Sequence, residues 1–380
     1  VMIVCSNTFE VIAAYVGFIR LNCVVILVDN NLLDSNFKKI IAEYKPDYIF
    51  KEKKKNTISI NYNNLINFYN FELLENKEKN NYLVNDNLTM LIATSGSTGS
   101  AKFVRISYEN IDKNLYQVID SLNITSEDRS ITTMPLNYIY GLSIVNSHLC
   151  AGASVIVNKY SLIDKKFWEI FNNKKASNFS GVPFMYEILD KIDFKSKVSK
   201  NLKYMTQAGG KLSTNLIEKF YKIGLEKKIN FITMYGQTEA TSRMSYLPWD
   251  SLKNKIGSIG KPVKDGKFSI IDNNGVFIND VNKIGELVYE GKNVSLGYAM
   301  NYLDLEKGDS NKGKLFTGDL VKKDKDDFYF ITGRLKRISK IFGIRINLDE
   351  VEMLIKNIGF ECACTGNDDK LKIFFEKDFN

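Results

Sequence analysis

Four short stretches of this chain concentrate residue types that handle anions and nucleotides. The first is Thr94-Ser-Gly-Ser-Thr-Gly-Ser-Ala-Lys102. Its glycines leave backbone N–H groups open to an anion, its hydroxyls add donors, and Lys102 adds positive charge, a composition that suits a polyphosphate. It is not a Walker A loop. Counted from Gly96, that motif needs Gly where Ala101 stands and Ser or Thr where Phe103 stands. A strand is expected before the loop and a helix after it, and the plain alternative is a flexible Ser/Gly turn. The second stretch is Met234-Tyr-Gly-Gln-Thr-Glu-Ala-Thr241. Tyr235 offers a flat face for a purine, Thr238 can donate to a phosphate, and Glu239 can hold a phosphate-bridging Mg²⁺, which prefers oxygen ligands. A structural turn is its alternative. In Phe316-Thr-Gly-Asp-Leu320, Asp319 stands at an expected strand-to-loop junction. There it can accept from two ribose hydroxyls or simply form a turn. The fourth, Gly333 to Arg345, is dense in cations with two glycines. It reads as a phosphate-proximal loop or as a solvated basic face.

These stretches need a scaffold, and the pattern supplies an α/β one. Strands Val1–Cys5, Val24–Val28 and Tyr48–Phe50 alternate with helices Thr8–Asn22 and Phe37–Glu43, a βαβαβ order that argues for a parallel sheet. Residues 51–87 read as peripheral elements and loops. The rhythm resumes with strand Leu88–Ala93 and helix Tyr108–Leu122 and continues to strand Asn230–Tyr235. From Gly257 onward short strands and frequent turns suggest an antiparallel, barrel-like unit, and beyond Gly333 the basic run leads into a helix, Asn347–Lys356. The expected division is 1–256, 257–332 and 333–380.

Composition removes several classes. The chain has 380 residues, 44% hydrophobic and 25% charged, and 52 Lys+Arg against 44 Asp+Glu give +8. That excess reads as Lys/Asn-rich drift, because the cations are not interleaved with aromatics in any nucleic-acid module. The single His, His148, lies in an apolar stretch and reads as structural. A His-cluster zinc site is excluded, and a Ser–His–Asp mechanism would have to run through that residue alone. Five Cys without a CxxC pair suggest reduced thiols and a cytoplasmic protein, and the CxC of Cys362 and Cys364 is weak evidence for metal. The most apolar early stretch, Val11 to Val28, is broken by Arg20 and Asn22, so no membrane span is expected.

Taken in order, the four stretches resemble the adenylate-forming superfamily, which includes acyl-CoA synthetases, the adenylation domains of non-ribosomal peptide synthesis, and luciferases. Thr94–Lys102 is similar to its [ST]SG[ST]TGxPK loop, with Ala101 in place of Pro; Met234–Thr241 to YGxTE; Thr317-Gly-Asp319 to TGD; and Gly333–Arg345 with Asn347–Glu352 to its hinge. Gly257–Pro262, Gly285-Glu-Leu and Gly297-Tyr298 match further landmarks. The resemblance implies a large N-terminal domain of parallel and mixed sheets flanked by helices. Residues 1–256 would form its nucleotide- and acyl-binding part and 257–332 a small β-barrel-like subdomain. A hinge and the start of a small α+β C-terminal domain would follow over 333–380.

By that resemblance, Thr94, Ser95, Gly96, Ser97, Thr98 and Gly99 with Lys102 hold the β- and γ-phosphates of ATP. Tyr235 stacks on adenine opposite Gly209 and Gly210, with Gly236 and Gln237 beside it. Glu239 binds Mg²⁺, Thr238 meets the α-phosphate, Asp319 and Arg334 hold the ribose, and Lys336 is the hinge. Lys102, Thr238, Glu239 and Lys336 form the implied catalytic set. The implied reaction turns a small-molecule carboxylic acid into acyl-AMP with pyrophosphate release, then passes the acyl group to CoA or to carrier-protein phosphopantetheine. Loading of an amino acid onto a carrier, or nucleotide binding without catalysis, are the alternatives. The stretch Met134–Leu142 lacks the Asp of amino-acid activators and is closer to the PLxHxxG form of acyl and aryl activators. Tyr138, Tyr140, Gly141, Val182 and Pro183 then line the acyl pocket. The family's late catalytic Lys has no counterpart here, and with a strand already under way at Val1 the chain is expected to lack both ends. The family's thiol step uses the region that corresponds to Gly343.

Overall fold

The computed structural model describes residues 1–53, 61–78, 80–94, 102–341, 344–367 and 370–376. Its first strands are β1 (Met2–Cys5), β2 (Val25–Asp29), β3 (Tyr48–Glu52), β4 (Tyr62–Phe68), β5 (Phe71–Asn76), β6 (Leu88–Ala93) and β7 (Phe103–Ser107). β1, β2 and β3 are almost continuous runs of buried residues, as strands covered on both faces must be. β1 pairs in parallel with β2 and β3, and β2 with β6, while helices Phe9–Arg20 and Asp34–Tyr44 form the crossovers. The βαβαβ reading holds.

One expectation gains detail here and one is corrected. Residues 51–87 contain the hairpin β4–β5, which extends the sheet antiparallel beyond β3. β4 is exposed along nearly its whole length, so it shows no apolar alternation. The Ser/Gly loop also does not open a helix. It connects β6 to β7, an antiparallel pair. Phe103-Val-Arg-Ile-Ser107 is fully buried strand, and only then does helix Tyr108–Leu122 begin, capped reciprocally by Ser107 and Asn110. A full strand therefore separates that loop from the start of helix Tyr108–Leu122.

The second sheet comprises β8 (Arg129–Ile131), β9 (Ser154–Ile156), β10 (Asn178–Gly181), β11 (Tyr204–Gln207), β12 (Asn230–Tyr235), β13 (Ser245–Leu247) and β14 (Lys261–Pro262). Their order is β14-β13-β12-β11-β10-β8-β9, parallel from β9 to β12 and antiparallel at β13 and β14. An aromatic core including Phe167, Trp168, Phe171, Tyr186 and Phe220 covers one face. Helix Pro183–Lys191, absent from the sequence reading, starts with Pro at a first-turn position, where its missing N–H costs nothing.

Next come β15 (Lys267–Ile271), β16 (Gly285–Glu290), β17 (Gly297–Ala299), β18 (Lys314–Lys323) and β19 (Tyr329–Arg334). Four of them form the antiparallel sheet β15-β16-β18-β19, but β17 leaves to pair with β7. The first sheet then runs β17-β7-β6-β2-β1-β3-β5-β4. Residues 257–332 thus feed three sheets rather than one. Asp319 sits inside the ten-residue β18, beside a register shift at Leu320/Val321, and not at a strand-to-loop junction. Beyond it, β20 (Ile338–Ile341) pairs with β21 (Ile344–Asn347) and β22 (Cys362–Asn367) with β23 (Lys370–Phe375), on either side of helix Leu348–Asn357, which Asn347 caps. The whole is a mixed α/β fold. Among the described residues, no helix is long and apolar enough to cross a membrane.

Candidate nucleotide and acyl site

Ser95, Gly96, Ser97, Thr98 and Gly99 lie outside the described residues, as does Gly343. The two ends of the first loop, Thr94 and Lys102, are fixed by β6 and β7. Because β17 pairs with β7, with Tyr298 opposite Val104, Tyr298 arrives beside Lys102. The Lys102 ammonium lies 3.6 Å from the centre of the Tyr298 ring, a cation–π distance. The Tyr298 hydroxyl donates to Glu239 Oε1 at 2.6 Å. Burial, then the Glu239 carboxylate, push this phenol above its ordinary range. Lys102 and Glu239 thus meet on one side chain. Glu239 is half-buried in the short turn Thr238–Ala240 just after β12, and Thr238 is buried. Gly236 is required here, since a Cβ on it would fall 1.6 Å from the Ser242 carbonyl oxygen.

Asp319 centres a second cluster. Its Oδ2 accepts from the Tyr235 hydroxyl at 2.5 Å and from Gln237 Nε2 at 2.9 Å, and its Oδ1 from Arg334 Nε at 2.8 Å. The carboxylate is buried (2% exposed) while the Arg334 side chain is 64% exposed, so the acid is anchored and the cation faces solvent. Tyr235 is only 8% exposed and packs edge-on to Phe268, so most of its ring is committed to the core of the small sheet. Burial and the Asp319 charge hold its phenol well above its ordinary range. Lys336 is exposed in the turn Leu335–Arg337 and does not join this cluster. Arg337 instead ties the following segment together, donating to Asp349, Glu352 and the Cys364 carbonyl.

Three of the expected acyl residues share one neighbourhood. Gly209 and Gly210, exposed after β11, face Tyr138, Val182 and Pro183. A Cβ on Gly209 would stand 2.4 Å from the Tyr138 hydroxyl and 3.1 Å from Val182, and one on Gly210 3.1 Å from Pro183. Tyr138 is half-buried, whereas Tyr140 is buried and bonds through its hydroxyl to Thr206. Gly141 backs closely onto the Pro135 carbonyl. His148 is structural, as expected. Its Nδ1–H donates to the Ile144 carbonyl at 2.8 Å, its Nε2 accepts from Asn178 at 3.0 Å, and burial lowers its pKa. Sequence reasoning assigned no role to Tyr298, cited only as a landmark, and missed Arg243. The latter stands in the polar run Thr241-Ser-Arg-Met-Ser245, whose local pattern carries no sign of a buried cation.

The profile of the family described as AMP-binding enzyme matches residues 1–299. The 2-succinylbenzoate–CoA ligase of Enterococcus faecalis is 28% identical over 274 residues, covering 72% of this chain and 55% of that protein. The oxalate–CoA ligase of Saccharomyces cerevisiae is 27% identical over 270 residues, covering 70% and 48%. The chain spans about half the length of these curated relatives. Among solved structures, o-succinylbenzoate CoA synthetase from Bacillus subtilis in complex with OSB-AMP matches all of this chain and 79% of its own, with TM-score 0.78 at 21% identity. The ATP-bound RpMatB-BxBclM chimera matches with TM-score 0.77 at 18% identity, covering 100% of this chain and 79% of its own. These likenesses give the fold, and the profile gives the family: the chain belongs to the adenylate-forming, AMP-binding enzymes.

Proposed function

We propose that the chain carries the nucleotide and acyl sites of an AMP-forming acid–thiol ligase. A carboxylate oxygen attacks the α-phosphorus of ATP, the bond to pyrophosphate breaks, and acyl-AMP forms. A thiol sulfur then attacks the acyl carbonyl and AMP leaves. The protein's work is positioning and charge stabilisation. The observation that carries the reading is the meeting of Lys102 and Glu239 on Tyr298. Glu239 fits a Mg²⁺: it is half-exposed, oxygen is the donor that ion prefers, and the Tyr298 group that bonds to it is a neutral hydroxyl. When bound, the metal supplies charge neutralisation at the phosphates. Lys102 and the residues from Thr94 to Gly99 hold the β- and γ-phosphates, and Thr238 the α-phosphate. Gly209 and Gly210 form one wall for adenine and the edge of Tyr235 left outside the core the other, flanked by Gly236 and Gln237. Asp319, steadied by Arg334, takes the ribose hydroxyls. Lys336 serves as the pivot for residues 333–380.

Tyr138, Tyr140, Gly141, Val182 and Pro183 enclose the acid. A non-amino acid is favoured, because the buried Arg243 guanidinium beside Tyr140 would repel an ammonium group. CoA is the acceptor supported by the names of the curated relatives, and carrier-protein phosphopantetheine presents the same thiol. Five free cysteines suit a reducing compartment such as the cytoplasm. ATP–pyrophosphate exchange with a panel of acids tests the reading. Exchange above background is expected with carboxylic acids lacking an α-amino group. Strong exchange with D- or L-alanine would overturn the acid assignment, and absence of AMP binding would overturn the ligase reading itself.

A further inference from the structure

Among the described residues two arginines are completely enclosed, and they differ in how they are satisfied. Arg105, 0% exposed, is saturated by carbonyls: it donates to Leu296, Tyr298, Lys307 and Gly308, with Ser310 nearby. That is how a structural guanidinium is satisfied. Arg243, 1% exposed, is not treated this way. Its Nη1 donates to the hydroxyls of Ser143 and Ser242, its plane lies 4.0 Å from the centre of the Tyr140 ring, and its Nε is buried with no partner. Among the described residues no carboxylate pairs with it, and the groups that favour its charge are all phenols: Tyr140, Tyr138 and Tyr204. Burial depresses its pKa accordingly.

The backbone beneath this side chain is held rigidly. Asn114 donates to the Arg243 carbonyl at 2.8 Å and accepts from its N–H at 3.4 Å, and Asn293 donates to the same carbonyl at 3.2 Å. A buried cation on a clamped backbone, lacking a counter-charge, is costly unless an anion completes it. Its place in the molecule says where the anion comes from. Tyr140 packs at 6.3 Å from Tyr138, and Tyr138 abuts the exposed Gly209. Arg243 therefore lies behind two aromatic rings, Tyr140 and Tyr138, counted from the exposed Gly209.

We propose that Arg243 is the specificity residue for a second carboxylate on the acid, so that the substrate class is a compact dicarboxylic acid. The inference rests on the ligase reading above. One carboxylate stays at the nucleotide end for activation. The other accepts from the guanidinium fork, with the unpartnered Nε–H and the Ser242 hydroxyl as its donors. Entry requires the half-buried Tyr138 ring to turn aside. An acid with an apolar tail of the same length would leave the guanidinium unpaired and is disfavoured for that reason.

Calorimetric titration of the purified chain in saturating AMP tests this with matched probes: phthalate against o-toluate, and succinate against butyrate. At least one diacid should bind roughly 10- to 100-fold tighter than its partner, the range of a charge-assisted hydrogen-bond set. In Arg243→Gln that preference should vanish while AMP affinity holds. Equal binding within both pairs, tighter binding of the monoacids, or a preference that survives Arg243→Gln would overturn the proposal. If Arg243→Gln does not fold, the wild-type pairs decide alone, in either direction. AMP binding without any diacid preference sinks only this inference, whereas loss of AMP binding in the wild-type chain sinks the ligase reading beneath it.

Discussion

Glu239 and Lys102 act on the same phenol from different elements, and their replacement separates ligand binding from stability. Glu239→Gln keeps an oxygen for the Tyr298 hydroxyl, so stability should change by no more than about 0.5 kcal/mol. ATP affinity in the presence of Mg²⁺ should fall at least about tenfold, because an amide is a poor ligand for a hard cation. Calorimetry with and without Mg²⁺, beside a thermal melt, checks both. A large fall in melting temperature would make Glu239 structural. Tyr235→Phe removes one of the donors to the buried Asp319 carboxylate and should cost about 1.5–3 kcal/mol in a denaturant melt. His148 gives a pH signature. Its folded pKa lies below the ordinary 6.5, so the unfolded chain takes up the proton first as pH falls. The stabilisation is complete above about pH 6.5 and is lost as pH drops through it, at up to about 1.4 kcal/mol per pH unit. Because it is the only His in the chain, His148→Gln should flatten this part of the stability–pH curve. At this scale the family was legible in the loop residues, since phosphate handling demands hydroxyls, glycines and a cation in sequence. Tyr298 and Arg243 were not legible as site residues, because their roles depend on neighbours brought from elsewhere in the chain.

At the scale of elements, the connection around Leu296–Ser310 is fastened to β7 by Arg105, whose donors reach carbonyls on both sides of β17. Arg105→Met would strand those carbonyls. At 1–3 kcal/mol for each buried group left unpaired, the loss should reach at least about 3 kcal/mol. Hydrogen exchange should localise it, with amides of residues 296–310 losing protection before those of β1 and β2. Uniform loss across the first sheet would argue against a local clamp. The sequence reading found the apolar, β-branched strands and the amphipathic helices, whose periodicity follows directly from burial on one or both faces. It missed β4, which faces solvent, and β7, whose buried Arg105 disguises a central strand as a polar connection. It also placed Asp319 at a junction, because the turn-like Thr-Gly-Asp hides a bulge within one long strand.

At the scale of the whole molecule, parallel order was readable from the alternation of strands and helices, but the assignment of each strand to its sheet was not. Sheet membership is decided by pairing partners far apart in the chain, and local pattern carries no record of them. The clearest case is β17, which is embedded between strands of the small sheet yet closes the edge of the first. That arrangement bears on birth at the ribosome. Arg105 and Tyr298 are separated by 193 residues. At a synthesis rate of about 5–20 residues per second, β7 therefore waits roughly 10–40 s for the strand that covers it. Throughout that interval a nascent chain carries a bare strand edge and a guanidinium without its carbonyls, the kind of surface that templates aggregation. Synonymous codons that slow translation between β7 and β17 should lengthen the interval and lower the yield of native protein.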